Sequence, residues 1–194
     1  MKKLLGIGLA IAISLGALPL SGCSLLGAKA NGLIFYGSQQ QINTSIDKNK
    51  SDIKEKNIYK MKLVILEGKK VLVMDKKTGE ELVKKELLKK VGNENDTKAI
   101  DKLPTVTAEQ GVLFAKGEVK DTTIDGTKLK YEDNTFIGDG RTYADMFAIV
   151  DDAAYGNVKG KEKYVGVLKL NKDPKKEMGE LSTVAEAVQM VKIK

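Results

Sequence analysis

The chain lacks the side chain most often used for acid–base catalysis at neutral pH. It contains no histidine and one cysteine, Cys23, among 194 residues. Without imidazole there is no histidine base and no histidine-containing metal site. The available chemistry therefore depends on carboxylates, lysines, hydroxyl groups and tyrosines. This disfavours an enzyme and leaves open only a hydrolase that uses carboxylates alone.

One acidic stretch has the spacing of a calcium-binding loop. Asp121, Asp125, Gly126 and Glu132 match the acidic and glycine positions of the pattern D-x-[DN]-x-[DN]-G-x5-E. Oxygen ligands and a sharp turn are needed at these positions. Against this, Thr123 replaces one ligand, and the flanking residues have strand patterns. The alternative is a β-hairpin with a type I′ turn at Asp125-Gly126. We expect no cofactor apart from calcium at Asp121, Asp125 and Glu132.

A second polar group surrounds a glycine-rich turn between residues 139 and 157. Function tends to concentrate in such loops, although Asp, Asn and Gly are also ordinary turn residues. We interpret the group as a candidate binding face. Its members are Asp139, Arg141, Asp151, Asp152, Tyr155 and Asn157.

The start of the chain predicts export. Lys2 and Lys3 precede about fifteen mostly apolar residues, a run too short to span a bilayer and typical of a secretory signal peptide. The following Leu20-Ser21-Gly22-Cys23 resembles the lipobox of bacterial lipoproteins. The resemblance implies cleavage before Cys23, attachment of lipid such as palmitate, and anchoring to the extracytoplasmic face of a cell membrane or outer membrane. We therefore expect a signal peptide at residues 1–22, a lipidated tether at 23–30 and one domain at 31–194.

The charge of the chain is positive and comes almost wholly from lysine. The formal charge is +7, and loss of residues 1–22 removes Lys2 and Lys3 and lowers it to +5. Arg141 is the sole arginine, whereas arginine is the side chain that reads phosphates and guanines by its planar fork. An extracytoplasmic location also disfavours nucleic acid as a partner. The lysines are expected on solvated faces near anionic headgroups.

Hydrophobic spacing predicts alternating strands and helices. Ser38 with Gln41 has the form of a capping box, and Val83, Leu87 and Val91 share one helical face. For residues 143–154 the spacing does not distinguish helix from strand. Predicted helices span residues 38–57, 80–91 and 181–191, and predicted strands span 32–37, 59–66, 71–74, 112–119, 122–131, 135–137 and 164–170.

These patterns predict an α+β fold, with a mainly antiparallel sheet and a few peripheral helices in a single domain. We expect a non-catalytic binding or interaction module of the bacterial cell envelope, anchored through Cys23. The expected partner is an envelope protein or a cell-wall component. One alternative is a wall or glycan hydrolase that uses carboxylates alone, and another is an accessory subunit of a membrane complex.

Overall fold

The computed structural model describes residues 29–48, 50–92, 96–120 and 122–194. The predicted signal peptide, Cys23 and most of the tether lie outside these ranges. The described elements are β1 (Gly32–Gly37), α1 (Gln39–Lys48), β2 (Ile53–Leu66), β3 (Lys69–Asp75), α2 (Lys76–Lys84), β4 (Leu88–Val91), β5 (Thr97–Ala99), β6 (Gln110–Phe114), β7 (Thr122–Ile124), β8 (Thr127–Asp133), β9 (Thr135–Ile137), β10 (Met146–Val150), α3 (Asp152–Asn157), β11 (Lys161–Leu170), α4 (Pro174–Leu181) and β12 (Ala187–Val191).

A nine-stranded mixed sheet dominates the described residues, in the order β12-β1-β11-β2-β3-β10-β6-β8-β7. The predicted α+β fold with a mainly antiparallel sheet is therefore wrong. Strands account for 45% of the described residues and helices for 20%, and the helices are small and peripheral. Two pairs, β3 with β10 and β6 with β8, are parallel. Parallel neighbours need long crossover connections, which local hydrophobic patterns do not reveal.

Both faces of the large sheet carry clusters of buried side chains. On the first face, Ile34, Tyr36, Met61, Leu72 and Phe147 contribute to one core cluster. Helix α2 and the small sheet β5-β4-β9 cover this face. The second face carries two separate clusters, one under α1 and α4 and one near β7, β8 and α3.

Where the sequence carries a strong local signal, such as a capping box or a turn, the structure has the predicted element. Helix α1 begins with the predicted capping box, because the Ser38 backbone N–H donates to Gln41 Oε1 at 2.8 Å and the Gln41 N–H donates to Ser38 Oγ at 3.3 Å. The predicted strands 59–66 and 71–74 correspond to β2 and β3, which form an antiparallel hairpin with Glu67 and Gly68 in its turn. Helix α1 ends at Lys48, however, and the following residues lead into β2 rather than prolonging the helix to residue 57.

Of the other two predicted helices, the one at residues 80–91 is helical only in its first half, and the one at residues 181–191 is mostly replaced by a strand. Helix α2 ends at Lys84, and Glu86 then adopts a φ of 58°, which breaks the helical path. Residues 88–91 form β4 between β5 and β9. Likewise β12 pairs with β1, where residues 181–191 were predicted to be helical. For residues 143–154 the structure has a strand, β10, followed by α3.

Candidate functional site

The predicted binding residues between 139 and 157 divide into two groups. Asp139 and Arg141 precede β10, whereas Asp151, Asp152, Tyr155 and Asn157 follow it. A five-residue strand is about 17 Å long. The structure therefore does not bring the two groups together at one site.

Arg141 fastens its own loop to the sheet. Its guanidinium donates to the backbone oxygens of Asp145 and Thr135 and to Asn134 Oδ1, each at 2.9 Å. It also lies over the Phe147 ring, with 5.4 Å between the guanidinium carbon and the ring centroid. Burial lowers its pKa to about 10, so the side chain stays charged at neutral pH. These contacts show how the loop of residues 138–145 is held against the first face.

The residues after β10 make contacts that stabilise α3. Asp151 caps the helix by accepting from the Ala153 N–H at 3.0 Å, and Asp152 accepts from the Lys77 N–H at 3.1 Å. Tyr155 donates its hydroxyl to the Lys60 carbonyl at 3.0 Å. Burial raises the pKa of the Tyr155 phenol, which favours its protonated form. Asn157 is an exposed residue at the end of the helix.

The candidate calcium ligands lie on a hairpin. Asp125 and Gly126 form the two-residue turn between β7 and β8, with φ of 46° and 89°. Asp125 Oδ2 accepts from the Lys159 N–H at 2.7 Å. Glu132 lies farther along β8, and Asp121 lies outside the described residues. Within the described ranges no three carboxylates are grouped as a metal site would need.

A polar cluster that we did not predict from the sequence lies at the edge of the first face. It joins Lys163 of β11, Glu186 just before β12 and Tyr143 of the loop 138–145. Lys163 Nζ lies 2.5 Å from Glu186 Oε1 and 2.7 Å from Oε2, and the Tyr143 hydroxyl donates to Oε2 at 2.7 Å. The Lys163 side chain is 5% exposed, whereas that of Glu186 is 35% exposed. The cluster therefore opens to solvent at the carboxylate.

Aromatic stacking and an amide extend this cluster under the loop. The Tyr143 ring stacks on Tyr36, with centroids 4.7 Å apart. Gln189 Nε2 lies 3.4 Å from the Tyr36 hydroxyl, and Gln189 Oε1 accepts from the Asp139 N–H at 2.8 Å. Tyr143 and the glutamine on β12 thus fix the loop in place over β1.

The charges of the cluster suit recognition better than covalent chemistry. Partial burial raises the pKa of the Glu186 carboxyl, but hydrogen bonds from Lys163 and Tyr143 lower it by more, so the net pKa is below its usual value. Burial, followed by the bond to Glu186, raises the pKa of the Tyr143 phenol. At neutral pH the glutamate is thus ionised and the tyrosine is protonated. A carboxylate offers about four acceptor positions, so three protein contacts leave Glu186 able to accept one more donor.

The cluster lies far from the start of the domain. Lys169 of β11 pairs with Gly32 at the start of β1, and Lys161 lies eight residues away along β11, about 26 Å. The positive charge of Lys161 acts on Glu186. On neighbouring β2, Ile65 lies toward the same end of the first face and is 62% exposed. We call Ile65, Tyr143, Lys161, Lys163 and Glu186 the distal patch.

One sequence signal points weakly to this cluster. Lys163 alternates with Val165 and Val167, so strand periodicity places it on a buried face. A lysine is rarely buried without a partner, and a carboxylate partner follows from that rule. The partner, Glu186, lies in the segment 181–191 that was predicted to be helical, and Lys163 is one of many lysines in the chain.

Comparison with known protein families shows which family the chain belongs to. The sequence profile of a family described as an uncharacterised lipoprotein family matches residues 30–194. The chain belongs to this lipoprotein family. The lipoprotein is also similar to a solved crystal structure described as that of a lipoprotein from Bacillus anthracis, with 39% sequence identity and a TM-score of 0.82. The match covers 85% of this chain and 100% of the other. A comparison with curated proteins found no match.

Family membership places the lipoprotein in the cell envelope, in association with a membrane. Among the helices of the described residues, none is long and apolar enough to cross a membrane.

Proposed function

We propose that this lipoprotein is a non-catalytic binding module, anchored by lipid on Cys23 and binding an envelope component through the distal patch. The observation that carries the proposal is the Glu186 carboxylate, which is held ionised by Lys163 and Tyr143 and is open to solvent. The same end of the first face also carries the exposed side chain of Ile65, and binding surfaces commonly combine apolar with directional contacts.

The position of the patch supports the proposal. Since the tether joins β1 at Asn31, the opposite end of the first face points away from the anchor. The expected ligand carries a hydrogen-bond donor or a positive charge for Glu186 and an apolar part for Ile65. A protein surface or a cell-wall peptide or glycan has such groups.

The same geometry favours binding over glycan hydrolysis. A general acid for glycoside cleavage needs a raised pKa and a second, facing carboxylate. The pKa of Glu186 is lowered, and its contacts are a lysine and a tyrosine.

Photocrosslinking in intact cells tests the patch. A photoreactive amino acid replaces Lys161, and in a control strain it replaces Lys130, an equally charged and exposed residue on β8. Four strands lie between β11 and β8, and the five inter-strand spacings add up to about 24 Å. We expect a discrete adduct from position 161 only. Absence of that adduct, or the same adduct from position 130, would contradict the proposal.

A matched pair of charge variants connects the adduct to Glu186. Glu186→Gln removes the proposed acceptor charge, and Glu162→Gln removes an equal charge from the neighbouring β11 residue, whose carboxylate pairs with Lys60. We expect the adduct to weaken in Glu186→Gln alone. If both variants give the adduct of the unaltered protein, Glu186 is not part of the binding surface.

The anchor has its own test. Cys23→Ser is expected to abolish incorporation of labelled palmitate and to release the protein from membranes or leave it uncut. Unchanged labelling would remove Cys23 from the proposal.

A further inference from the structure

The end of the domain next to the tether is rich in lysine. The Asn31 side chain donates to the Ile193 carbonyl and accepts from the Ile193 backbone N–H. The Leu170 backbone N–H donates to the Asn31 carbonyl at 2.8 Å. Asn171 in turn donates to the Asp52 carbonyl at 2.8 Å. These contacts gather the start of β1, the start of β2 and the ends of β11 and β12. We call residues 29–31, 47–48, 50–56, 85–86, 169–177 and 192–194 the lysine-rich end.

Positive charge is in clear excess there. These segments hold twelve lysines and six carboxylates, a formal excess close to the +7 of the whole chain. The lysines are Lys29, Lys48, Lys50, Lys54, Lys56, Lys85, Lys169, Lys172, Lys175, Lys176, Lys192 and Lys194, and the carboxylates are Asp47, Asp52, Glu55, Glu86, Asp173 and Glu177.

Internal partners already hold most of these carboxylates. Asp52 pairs with Lys172, Glu55 with Lys85 and Glu86 with Lys194. Asp173 caps α4 by accepting from the Lys175 N–H at 3.0 Å. Other lysines of the lysine-rich end make no ion pair with any described residue and are exposed: Lys54, Lys175, Lys176 and Lys192.

Two of these lysines lie where helix electrostatics disfavour them. Lys175 and Lys176 are in the first turn of α4, next to the positive end of the helix dipole. Asp173 already accepts from the backbone N–H groups of Lys175 and Lys176, so the two ammonium charges lie beside a capped helix start. Placing cations at this end does not stabilise the helix, but it does strengthen the attraction of the surface for anions.

The tether is too short to carry this end far from a membrane. Eight peptide steps separate Cys23 from Asn31, which corresponds to about 28 Å when fully extended. This length is an upper limit, so the lysine-rich end stays near the anchored residue and its lysines can come within the Debye length of about 8 Å from the surface.

We propose that the lysine-rich end docks against the anionic phospholipid headgroups of the membrane that carries the lipid anchor. Docking sets the orientation of the domain, so that the sheet stands with the distal patch facing away from the bilayer. The inference rests on the lipid anchor of the proposed function but not on the ligand of the distal patch.

Fluorescence quenching from the bilayer surface tests this orientation in the full-length lipidated protein. A fluorophore is attached in one preparation at Ser51→Cys, in the lysine-rich end, and in another at Thr142→Cys, an exposed position in the loop beside the distal patch. Vesicles carry a headgroup quencher and contain either phosphatidylcholine alone or phosphatidylcholine with phosphatidylglycerol. Flotation of the vesicles first shows that the protein is anchored, so failure of the anchor is distinguished from failure of docking.

We expect strong quenching at position 51 only with phosphatidylglycerol, and little at position 142 with either lipid. Raising the salt from about 0.1 M to about 1 M shortens the Debye length from about 10 Å to about 3 Å and should relieve the quenching. Equal quenching with both lipids, or stronger quenching at position 142, would overturn the proposal. An end that bound an anionic wall polymer instead would give equal quenching with both lipids.

Two quadruple variants separate local charge from net charge. The first changes Lys54, Lys175, Lys176 and Lys192 to Gln. The matched control makes the same change at exposed lysines elsewhere, Lys69, Lys98, Lys128 and Lys130. A lysine near an anionic surface contributes about fivefold to binding, so the first variant should lower the docking constant about 25-fold even if only two of its four lysines reach the headgroups. Equal effects of the two variants would show that net charge alone is responsible.

Discussion

Breaking the contact between Lys163 and Glu186 should have unequal consequences that depend on which partner is removed. Glu186→Ala leaves a lysine ammonium whose side chain is 5% exposed without its counter-charge. Removing one member of a buried ion pair costs about 3–5 kcal/mol. Water can enter where Glu186 stood, so we expect a loss near the lower limit, about 3 kcal/mol of unfolding free energy.

The opposite variant should be tolerated better. In Lys163→Met the remaining Glu186 carboxylate is 35% exposed and still accepts from Tyr143, so solvent can stabilise its charge. Methionine is unbranched and fills the space of the lysine stem. We expect a loss of about 1 kcal/mol, typical of one hydrogen-bonded contact. The double variant Lys163→Met with Glu186→Leu should regain most of the stability lost in Glu186→Ala.

Urea unfolding at neutral pH, followed by far-ultraviolet circular dichroism, measures this difference. With a slope of about 2 kcal/mol per molar urea, the midpoint should fall by about 1.5 M in Glu186→Ala and by about 0.5 M in Lys163→Met. Lys161→Met, an exposed position on the same strand, should leave the midpoint almost unchanged. Equal losses in the two variants, or a larger loss in Lys163→Met, would refute the reasoning from burial.

Three further predictions concern pH, packing and helix capping. The folded-state pKa of the Glu186 carboxyl is lowered, so its contribution to the free energy of unfolding is fully present above the unfolded pKa of about 4.3. That contribution is lost as pH falls through the folded pKa. The stability deficit of Glu186→Gln, measured by urea unfolding, should therefore shrink in acid. Gly166→Ala places a Cβ 2.5 Å from the Phe35 ring and should cost about 1–3 kcal/mol in the same assay, with partial recovery in the double variant with Phe35→Leu. Ser38→Ala removes half of the capping box with Gln41 and should cost about 1 kcal/mol, a fall of about 2–4 °C in Tm by calorimetry.

Each of these predictions has a control. A deficit of Glu186→Gln that stays constant down to about pH 3 would exclude its carboxylate from the acid response. Full stability of Gly166→Ala would show that the Phe35 ring can move aside at no cost. Ser51→Ala, an exposed serine outside any helix, should leave Tm unchanged, and an equal fall in both serine variants would contradict the capping argument.

The sequence predicted the elements whose causes are local. Ser38 and Gln41 are three residues apart and determine one helix start, and Gly68 determines one hairpin turn. Where a strand pairs with a segment that is distant in sequence, hydrophobic spacing predicted the wrong element. Val188 and Val191 share a helical face with Leu181, yet the same residues lie in or beside a strand whose partner is β1.

The polar cluster was hidden for the same reason. Glu186 has the spacing of a capping residue with Thr183, and nothing near it indicates Lys163. The contact exists because β11 and β12 flank β1 in the sheet, and that arrangement follows from the topology. Arg141 is the converse example. The sequence drew attention to it as the sole arginine, in a glycine-rich loop, but not to the contacts by which it holds that loop to the sheet.

The position of β1 also determines the order in which the domain can be completed. β1 is the first strand after the tether, yet its neighbours on both sides, β11 and β12, follow well over a hundred residues later. Contacts so distant in sequence make folding slow, because the intervening chain must be ordered before they form. During folding, β1 therefore keeps both of its edges unpaired until β11 and β12 are in place. A substitution that weakens β12 should thus leave one edge of β1 open and make β1 more vulnerable to proteolysis than the central strands of the sheet.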